Sequence, residues 1–321
     1  MPNQPRLAVE SIAGQRPYQE DSVLAETLAD GRMLAAVADG MGGHAAGEVA
    51  SALALETLNE AVNERQGLGD AFRLANSRVH GMASEPGKQG MGTTLVAVLV
   101  DGNEYTVANV GDSRAYLISR GGIRRLTEDH SFVAEAMKRG QSEEEAMATP
   151  WRDALTRSIG TDGEVEVDVF GPFPIEPDSA FLICSDGLYK TLTDEQLNEL
   201  FGVSSGARGA AQSLVTAAFD NGSDDNISVA IVEYGDVPRK SAPTTMVMDA
   251  FEPEDESEIT AEITVPKEVV AGSGDAEISE ADTVVTEVLE ESSLVGGLPI
   301  GALAAIVLVV GALVAILFFG G

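Results

Sequence analysis

Four aspartates in this chain follow or flank short apolar runs, a pattern that could gather several carboxylates at one site. Leu34 to Ala38 is apolar and leads into Asp39, and comparable runs lie beside Asp112, Asp186 and Asp225. A run of this length fits a buried strand better than a helix, so rigid backbone would hold each carboxylate at the mouth of the fold. The plain alternative is a solvated turn at each aspartate, because Asp-Gly pairs are typical turn sequences.

A further acidic pair, Glu20 and Asp21, follows Arg16 near the start of the chain. Gly40, directly after Asp39, has no side chain, so its carbonyl could approach a cation closely. Several carboxylates in one cleft repel each other strongly unless cations hold them together. The residues therefore predict a site with two or more metals, provided that the strand ends meet in space.

The composition narrows the classes of function. The 321 residues carry a formal net charge of −32, which argues against a nucleic-acid partner and a nuclease activity. Abundant aspartate and glutamate favour hard cations, and three histidines with one cysteine argue against a zinc cluster. Cys184 is that cysteine, so no intramolecular disulfide can form and a reducing compartment is expected. Within its apolar run Cys184 is predicted to pack in the core rather than to act as a nucleophile.

Apolar periodicity predicts the elements that must position these residues. Helices are predicted over about 48–64, 69–82, 193–200 and 207–219. A strand is predicted over about 34–38, strands dominate from the end of the second helix to about residue 119, and further strands are predicted over about 165–169, 180–184 and 227–232. Asp30-Gly31 and Asp101-Gly102 lie between apolar stretches and are predicted to form hairpin turns.

The segment from about 131 to 160 interrupts this pattern with a polar insert. Ser142 followed by Glu145 has the form of a capping box, which predicts a short helix. The insert also holds the single tryptophan, Trp151, and is expected to lie over the surface as a small subdomain.

The C-terminal part of the sequence differs in character from the rest. Residues 235–293 hold 16 acidic and 3 basic residues, a net charge of −13, which predicts a disordered linker. Residues 294–319 are 26 positions without a charge, enough for a transmembrane helix across about 30 Å of hydrocarbon. A buried helix of a soluble domain is the alternative. Residues 1–16 lack the apolar core of a secretory signal, so the domain before the linker is expected in the cytosol.

Six motifs then point to a family. They are Arg16-x-x-Gln-Glu-Asp21, the stretch from Asp39 to Ser51, Gly92-Thr-Thr94, Gly111-Asp-Ser-Arg114, Cys184-Ser-Asp-Gly187 and Asp225-Asn226. In this order the chain resembles the bacterial metal-dependent Ser/Thr protein phosphatases (the PPM family, also called type 2C) over about residues 6–234. The resemblance implies an α+β fold, a four-layer αββα sandwich of two mainly antiparallel sheets flanked by helices. It assigns residues 1–234 to the phosphatase domain and about 131–160 to a flap beside the cleft.

The resemblance also implies two or three Mn²⁺ or Mg²⁺ ions. Asp39 would bridge two of them, and Asp186 and Asp225 would complete the site of one. Asp112 would hold a third, weaker ion shared with Asp186.

The remaining roles come from the same resemblance. The Gly40 carbonyl, with Glu20 or Asp21, would complete the site of the other bridged ion. Arg16 would clamp the substrate phosphate, since its planar fork of donors suits phosphate oxygens. The animal enzymes have a histidine where Met41 stands here, so the resemblance leaves the proton donor to the leaving group open. His44 is nearby and could be that donor, or it could have only a structural role in the turn.

The function implied is hydrolysis of phosphoserine and phosphothreonine on proteins, with a metal-bridged hydroxide attacking phosphorus in line. The C-terminal segment would make it a single-pass protein of the cell membrane with a cytoplasmic catalytic domain. Membrane Ser/Thr kinases and their substrates are the expected partners. A membrane-tethered pseudophosphatase that binds phosphoproteins without hydrolysing them is the alternative.

Overall fold

The computed structural model describes residues 6–42, 45–237 and 239. In that part of the chain no helix is both long and apolar enough to cross a membrane. The predicted transmembrane segment 294–319, His44 and nearly all of the predicted linker 235–293 lie outside the described residues.

Eleven described strands form two sheets, and every strand pair within them is antiparallel, as predicted. The first sheet has the order β1-β11-β10-β7-β8. Its strands are β1 (Arg6–Ile12), β7 (Arg114–Ser119), β8 (Gly122–Arg125), β10 (Ser179–Cys184) and β11 (Ile227–Tyr234).

The second sheet has the order β2-β3-β5-β6-β9, with a short strand β4 paired to β3. Its strands are β2 (Asp21–Thr27), β3 (Met33–Met41), β4 (Gly92–Thr93), β5 (Leu95–Asp101), β6 (Glu104–Val110) and β9 (Asp168–Pro174). The turns predicted at Asp30 and Asp101 join β2 to β3 and β5 to β6. The strand predicted over about 165–169 begins only at Asp168; Val165 and Val167 precede it and pack against the core.

Helices cover the outer face of each sheet. On the second sheet these are α1 (Ala45–Asn63) and α2 (Leu68–Ala83). On the first sheet they are α5 (Asp186–Tyr189), α6 (Asp194–Val203) and α7 (Gly206–Asp220). α1 begins three residues before the predicted start at 48, and α6 and α7 match their predicted ranges to within about three residues.

Strand β3 shows why the fold has four layers. Successive side chains of a strand point to opposite faces of its sheet. Leu34, Ala36 and Ala38 belong to the core shared with α1 and α2. Met33 and Val37 belong to a different core, which lies between the two sheets. One core lies between the two sheets and one lies beneath the helices of each sheet, so the predicted αββα sandwich is confirmed.

One strand end differs from the prediction. β3 does not stop at Ala38 but continues through Asp39 to Met41. The ladder continues because β3 exchanges partners: it pairs with β5 up to Val37 and with Thr93 of β4 at Gly40. Asp39 is therefore held within a strand rather than at the start of a turn.

The polar insert contains two short helices, α3 (Phe132–Lys138) and α4 (Glu143–Met147). The predicted capping box at the start of α4 is present, with Ser142 and Glu145 each bonding the backbone of the other. Trp151, which follows α4, is exposed.

Candidate active site

Asp39 is fixed by backbone contacts on both sides. It lies opposite Asp21 in the β2–β3 ladder. Its N–H donates to the Thr94 hydroxyl at 2.9 Å. Its carbonyl accepts from the Thr94 N–H and the Thr93 hydroxyl, each at 2.9 Å. The Gly92-Thr-Thr94 motif therefore positions Asp39, and Thr94 also lines the cleft.

Gly40 is a glycine because of packing. A Cβ on Gly40 would lie 2.2 Å from the carbonyl oxygen of Gly47 in α1 and 2.5 Å from that of Glu20. No side chain fits there, and the backbone of β3 reaches the cleft beside Asp39.

The acidic pair near the N-terminus divides between two environments. Glu20 lines the cleft, whereas Asp21 is buried behind it. Asn226 holds this loop in place: its amide donates to the carbonyls of Ala13 and Tyr18, and its side-chain oxygen accepts from the Glu20 N–H. The Asp-Asn motif thus fixes the loop that carries Arg16 and Glu20.

Asp112 lies in the loop between β6 and β7. Gly111 has φ +108°, and a Cβ there would lie 2.6 Å from Cβ of Thr94, so glycine is needed. The Gly111 N–H donates to Nδ1 of His130 at 3.1 Å. The Tyr189 hydroxyl donates to the Asp112 carbonyl at 3.0 Å, which ties this loop to α5.

Asp186 is the first residue of α5, one residue after the end of β10, and is buried. Its Oδ2 lies 2.5 Å from Nζ of Lys190, and its Oδ1 has no hydrogen-bond partner among the described residues. Cys184, two residues earlier, is fully buried in β10, so its predicted core role is confirmed.

Asp225 precedes β11 and meets the N-terminal loop. Its Oδ2 accepts from Nη2 of Arg16 at 2.8 Å, and Nε of Arg16 donates to the carbonyl of Asp224 at 2.9 Å. These two contacts orient the guanidinium, whose side chain is about half exposed at 48%.

These residues meet in one cleft with a volume of about 920 Å³. The predicted site residues that line it are Arg16, Glu20, Asp39, Gly40, Asp112, Asp186 and Asp225. Asp21 is the predicted site residue that does not line it. The other wall comes from the end of the polar insert and the residues just after it, between Arg152 and Asp162.

The carboxylates of the cleft act on one another electrostatically. Burial, followed by the charges of Asp21 and Asp186, raises the pKa of Asp39 well above its usual value. Burial and the charge of Asp186 raise the pKa of Asp112 to about 7, against a lowering effect of Lys190. The pKa of Asp225 is raised by burial and by Asp186. Burial and the charge of neighbouring carboxylates both favour the neutral, protonated form of these groups. A bound cation would favour the ionised form instead.

Neither carboxylate oxygen of Asp21 accepts a hydrogen bond within the described residues. Burial is the largest effect on Asp21 and raises its pKa to about 7. The hydroxyls of Ser185 and Ser228 lie close enough to lower this pKa, but each is hydrogen-bonded to a group other than Asp21. A buried carboxylate in this state needs positive charge nearby to remain ionised.

The donor set fits hard divalent cations. Carboxylate and carbonyl oxygens are the ligands that Mg²⁺ and Mn²⁺ take. Oδ1 of Asp186 is a carboxylate oxygen of that kind: it is buried and has no hydrogen-bond partner within the described residues. Within the described residues, however, no three histidine, cysteine, aspartate or glutamate side chains are arranged closely enough to enclose an ion. The described acids therefore supply the right donor types along one cleft, although they do not form a ready-made cage of three carboxylates.

Several cleft residues were missed by the sequence analysis. Lys190 could have been found from its spacing, because it lies four residues after Asp186 and directly after the end of α5, where it meets Asp186. Arg152 and Arg157 also line the cleft. Arg157 is held by Asp168 at 2.7 Å, a contact across 11 residues that no local pattern signals.

Comparison with known proteins agrees with the motifs. The family model described as protein phosphatase 2C matches residues 11–218. The serine/threonine phosphatase Stp of Listeria monocytogenes is 37% identical over 230 residues, which are 68% of this chain and 91% of that protein.

Solved structures share the fold. The serine/threonine phosphatase of S. agalactiae is 31% identical with a TM-score of 0.67, over 72% of this chain and 99% of that one. The catalytic domain of the phosphatase PstP, in complex with two manganese ions, is 32% identical with a TM-score of 0.61, over 71% of this chain and 97% of that one. The chain thus belongs to the protein phosphatase 2C (PPM) family and is a protein-serine/threonine phosphatase.

Proposed function

We propose that this phosphatase is metal-dependent and that its cleft hydrolyses phosphoserine and phosphothreonine with Mn²⁺ or Mg²⁺. One observation carries the proposal: Asp39, Asp112, Asp186 and Asp225, from four separate parts of the sequence, line one cleft together with Arg16. Repulsion among buried carboxylates makes such a gathering unfavourable unless cations offset it.

Each residue has a place in this proposal. Asp39, Asp186 and Asp225 would hold one cation. Asp39, with the Gly40 carbonyl and Glu20, would hold the other; Glu20 is preferred to Asp21 because Glu20 faces the cleft.

The chain's own groups bind and orient the substrate. Asp225 and the Asp224 carbonyl hold the Arg16 guanidinium in place, and its remaining N–H groups would donate to the phosphate oxygens. A water molecule attacks phosphorus in line, the bond from phosphorus to the serine or threonine oxygen breaks, and the alkoxide takes up a proton. When bound, the divalent cations supply Lewis acidity and lower the pKa of water. Burial of Cys184 in β10 favours a route without a cysteinyl intermediate.

We further propose a membrane tether. The support is the sequence: residues 294–319 carry no charge, and the acidic segment 235–293 separates them from the domain. A flexible linker of that length would have an end-to-end distance of about 40–45 Å. A domain on such a tether, on the cytoplasmic side, would meet membrane Ser/Thr kinases and their substrates at raised effective concentration.

The metal proposal is tested with a phosphothreonine peptide. Hydrolysis is expected with Mn²⁺, and it should be lost in EDTA and recovered on adding excess Mn²⁺. Asp39→Asn should abolish turnover, whereas the matched control Asp101→Asn, in an exposed hairpin turn, should retain it. Full activity of the Asp39 variant or activity in EDTA would refute the proposal. Peptide binding without turnover in the wild-type protein would instead support the pseudophosphatase.

A further inference from the structure

Lys190 brings a positive charge into the cleft. It directly follows the last residue of α5, while Asp186 begins that helix, and residues four apart are neighbours on a helix surface. The ammonium Nζ lies 2.5 Å from Oδ2 of Asp186. Both residues line the cleft, and the Lys190 side chain is 49% exposed. The ammonium is therefore at the cleft surface rather than locked in the core.

The two oxygens of Asp186 have different surroundings. Oδ2 is paired with the ammonium, whereas Oδ1 is buried and has no hydrogen-bond partner within the described residues. In Asp186 one oxygen is thus open to a metal, and the other already has a cation.

Asp112 lies on the same side of the cleft. The Tyr189 hydroxyl, one residue before Lys190, donates to the Asp112 carbonyl at 3.0 Å, which fixes the Asp112 loop against α5. The guanidinium of Arg114 lies 3.5 Å from the centre of the Tyr189 ring and holds that ring in place. Lys190 therefore belongs to a fixed assembly that includes both Asp112 and Asp186, the pair from which a third metal site was expected.

We infer that the Lys190 ammonium acts as a built-in counter-ion for Asp186 and Asp112, in the place expected for a third divalent cation. The inference rests on the proposed metal-dependent function. An ammonium and a divalent ion at neighbouring positions repel each other. Because the ammonium is covalently attached to the chain, its effective concentration beside Asp186 is high. The cleft of this chain therefore binds two divalent cations, with any third ion disfavoured by Lys190.

The test counts bound Mn²⁺ on the full-length protein by calorimetry and equilibrium dialysis, after metal is removed with chelator. The wild type is expected to bind two Mn²⁺. Lys190→Met keeps most of the side-chain shape and removes the charge, so it should gain a third Mn²⁺ site. The affinity of the variant for this third Mn²⁺ ion should be at least on the order of tenfold higher than that of the wild type. Lys190→Arg keeps the charge and should bind as the wild type does.

Two controls make the result specific. Adding Asp112→Ala to Lys190→Met should remove the third site, because the site needs the Asp112 carboxylate. Lys88→Met removes a lysine from an exposed ion pair with Glu85, outside the cleft, and should leave the metal count unchanged.

The inference is overturned if Lys190→Met binds Mn²⁺ with wild-type stoichiometry and affinity, or if the wild type itself binds three ions tightly. Failure of the proposed function has a different signature, since the wild type would then bind no Mn²⁺ and would not hydrolyse phosphopeptide in its presence. Two bound ions, normal hydrolysis and an unaltered Lys190 variant would refute the role of Lys190 alone.

Discussion

The role of Arg16 can be tested by measuring substrate binding and metal binding separately in an Arg16 variant. Arg16→Ala removes a fork that Asp225 and the Asp224 carbonyl hold at 2.8 and 2.9 Å. It removes no proposed metal ligand. We therefore expect KM for a phosphothreonine peptide to rise while Mn²⁺ affinity does not fall. Mn²⁺ affinity should even increase slightly, because a positive charge beside Asp225 is lost.

The size of the effect follows from the donors removed. A hydrogen bond to a charged group contributes about 1.5–3 kcal/mol, and Arg16 can offer phosphate two of them. Two such bonds would contribute about 3–6 kcal/mol in a buried site, but the side chain is 48% exposed, so solvent screening reduces the expected total to about 2–3 kcal/mol. That corresponds to a fall of roughly 30- to 150-fold in kcat/KM, at about 1.4 kcal/mol per factor of ten. Arg16→Lys, which keeps the charge without the planar fork, should fall between the wild type and the alanine variant.

The assay is steady-state hydrolysis of the peptide at saturating Mn²⁺, with Mn²⁺ affinity measured separately by calorimetry. Arg120→Ala is the matched control, because Arg120 is an exposed arginine paired with Asp178 and does not line the cleft. A loss of Mn²⁺ affinity in Arg16→Ala with unchanged KM would refute the phosphate-clamp role.

Three further predictions concern stability and location. Thr94→Val leaves a buried strand N–H without its acceptor and should lower the free energy of unfolding by about 1–3 kcal/mol, measured in urea; an unchanged value would contradict the positioning role. Burial raises the pKa of Asp168, but bonds from Arg157 and His130 outweigh it and lower the pKa below the usual value. Asp168→Asn should therefore destabilise the protein above pH 4, and the difference should shrink as the pH falls below about 4; a constant difference down to pH 2 would refute this. Removing residues 294–321 should move the protein to the soluble fraction with peptide hydrolysis unchanged, and a truncated protein that still pellets with membranes would refute the tether.

The sequence by itself determined several elements and the kinds of residue in the site, and its motifs indicated the family whose resemblance implied the four layers. Alternation and helical periodicity are local signals, so the apolar run of β3, the two outer helix pairs and the Ser142–Glu145 capping box could all be predicted. Donor chemistry is also a property of residue type. Abundant aspartate and glutamate predicted hard cations, and a single cysteine argued against zinc, before any geometry was available.

Only the tertiary structure decided which residues meet. Arg16 and Asp225 are 209 residues apart in the sequence. Their contact depends on the pairing of β1, at the start of the domain, with β11, at its end. Asp39 lies within β3 rather than after it because a second partner, β4, continues the ladder. Glu20, in the loop before β2, lines the cleft, while Asp21, the first residue of β2, is buried. Non-local contacts of this kind arise from packing, and no short stretch of sequence contains them.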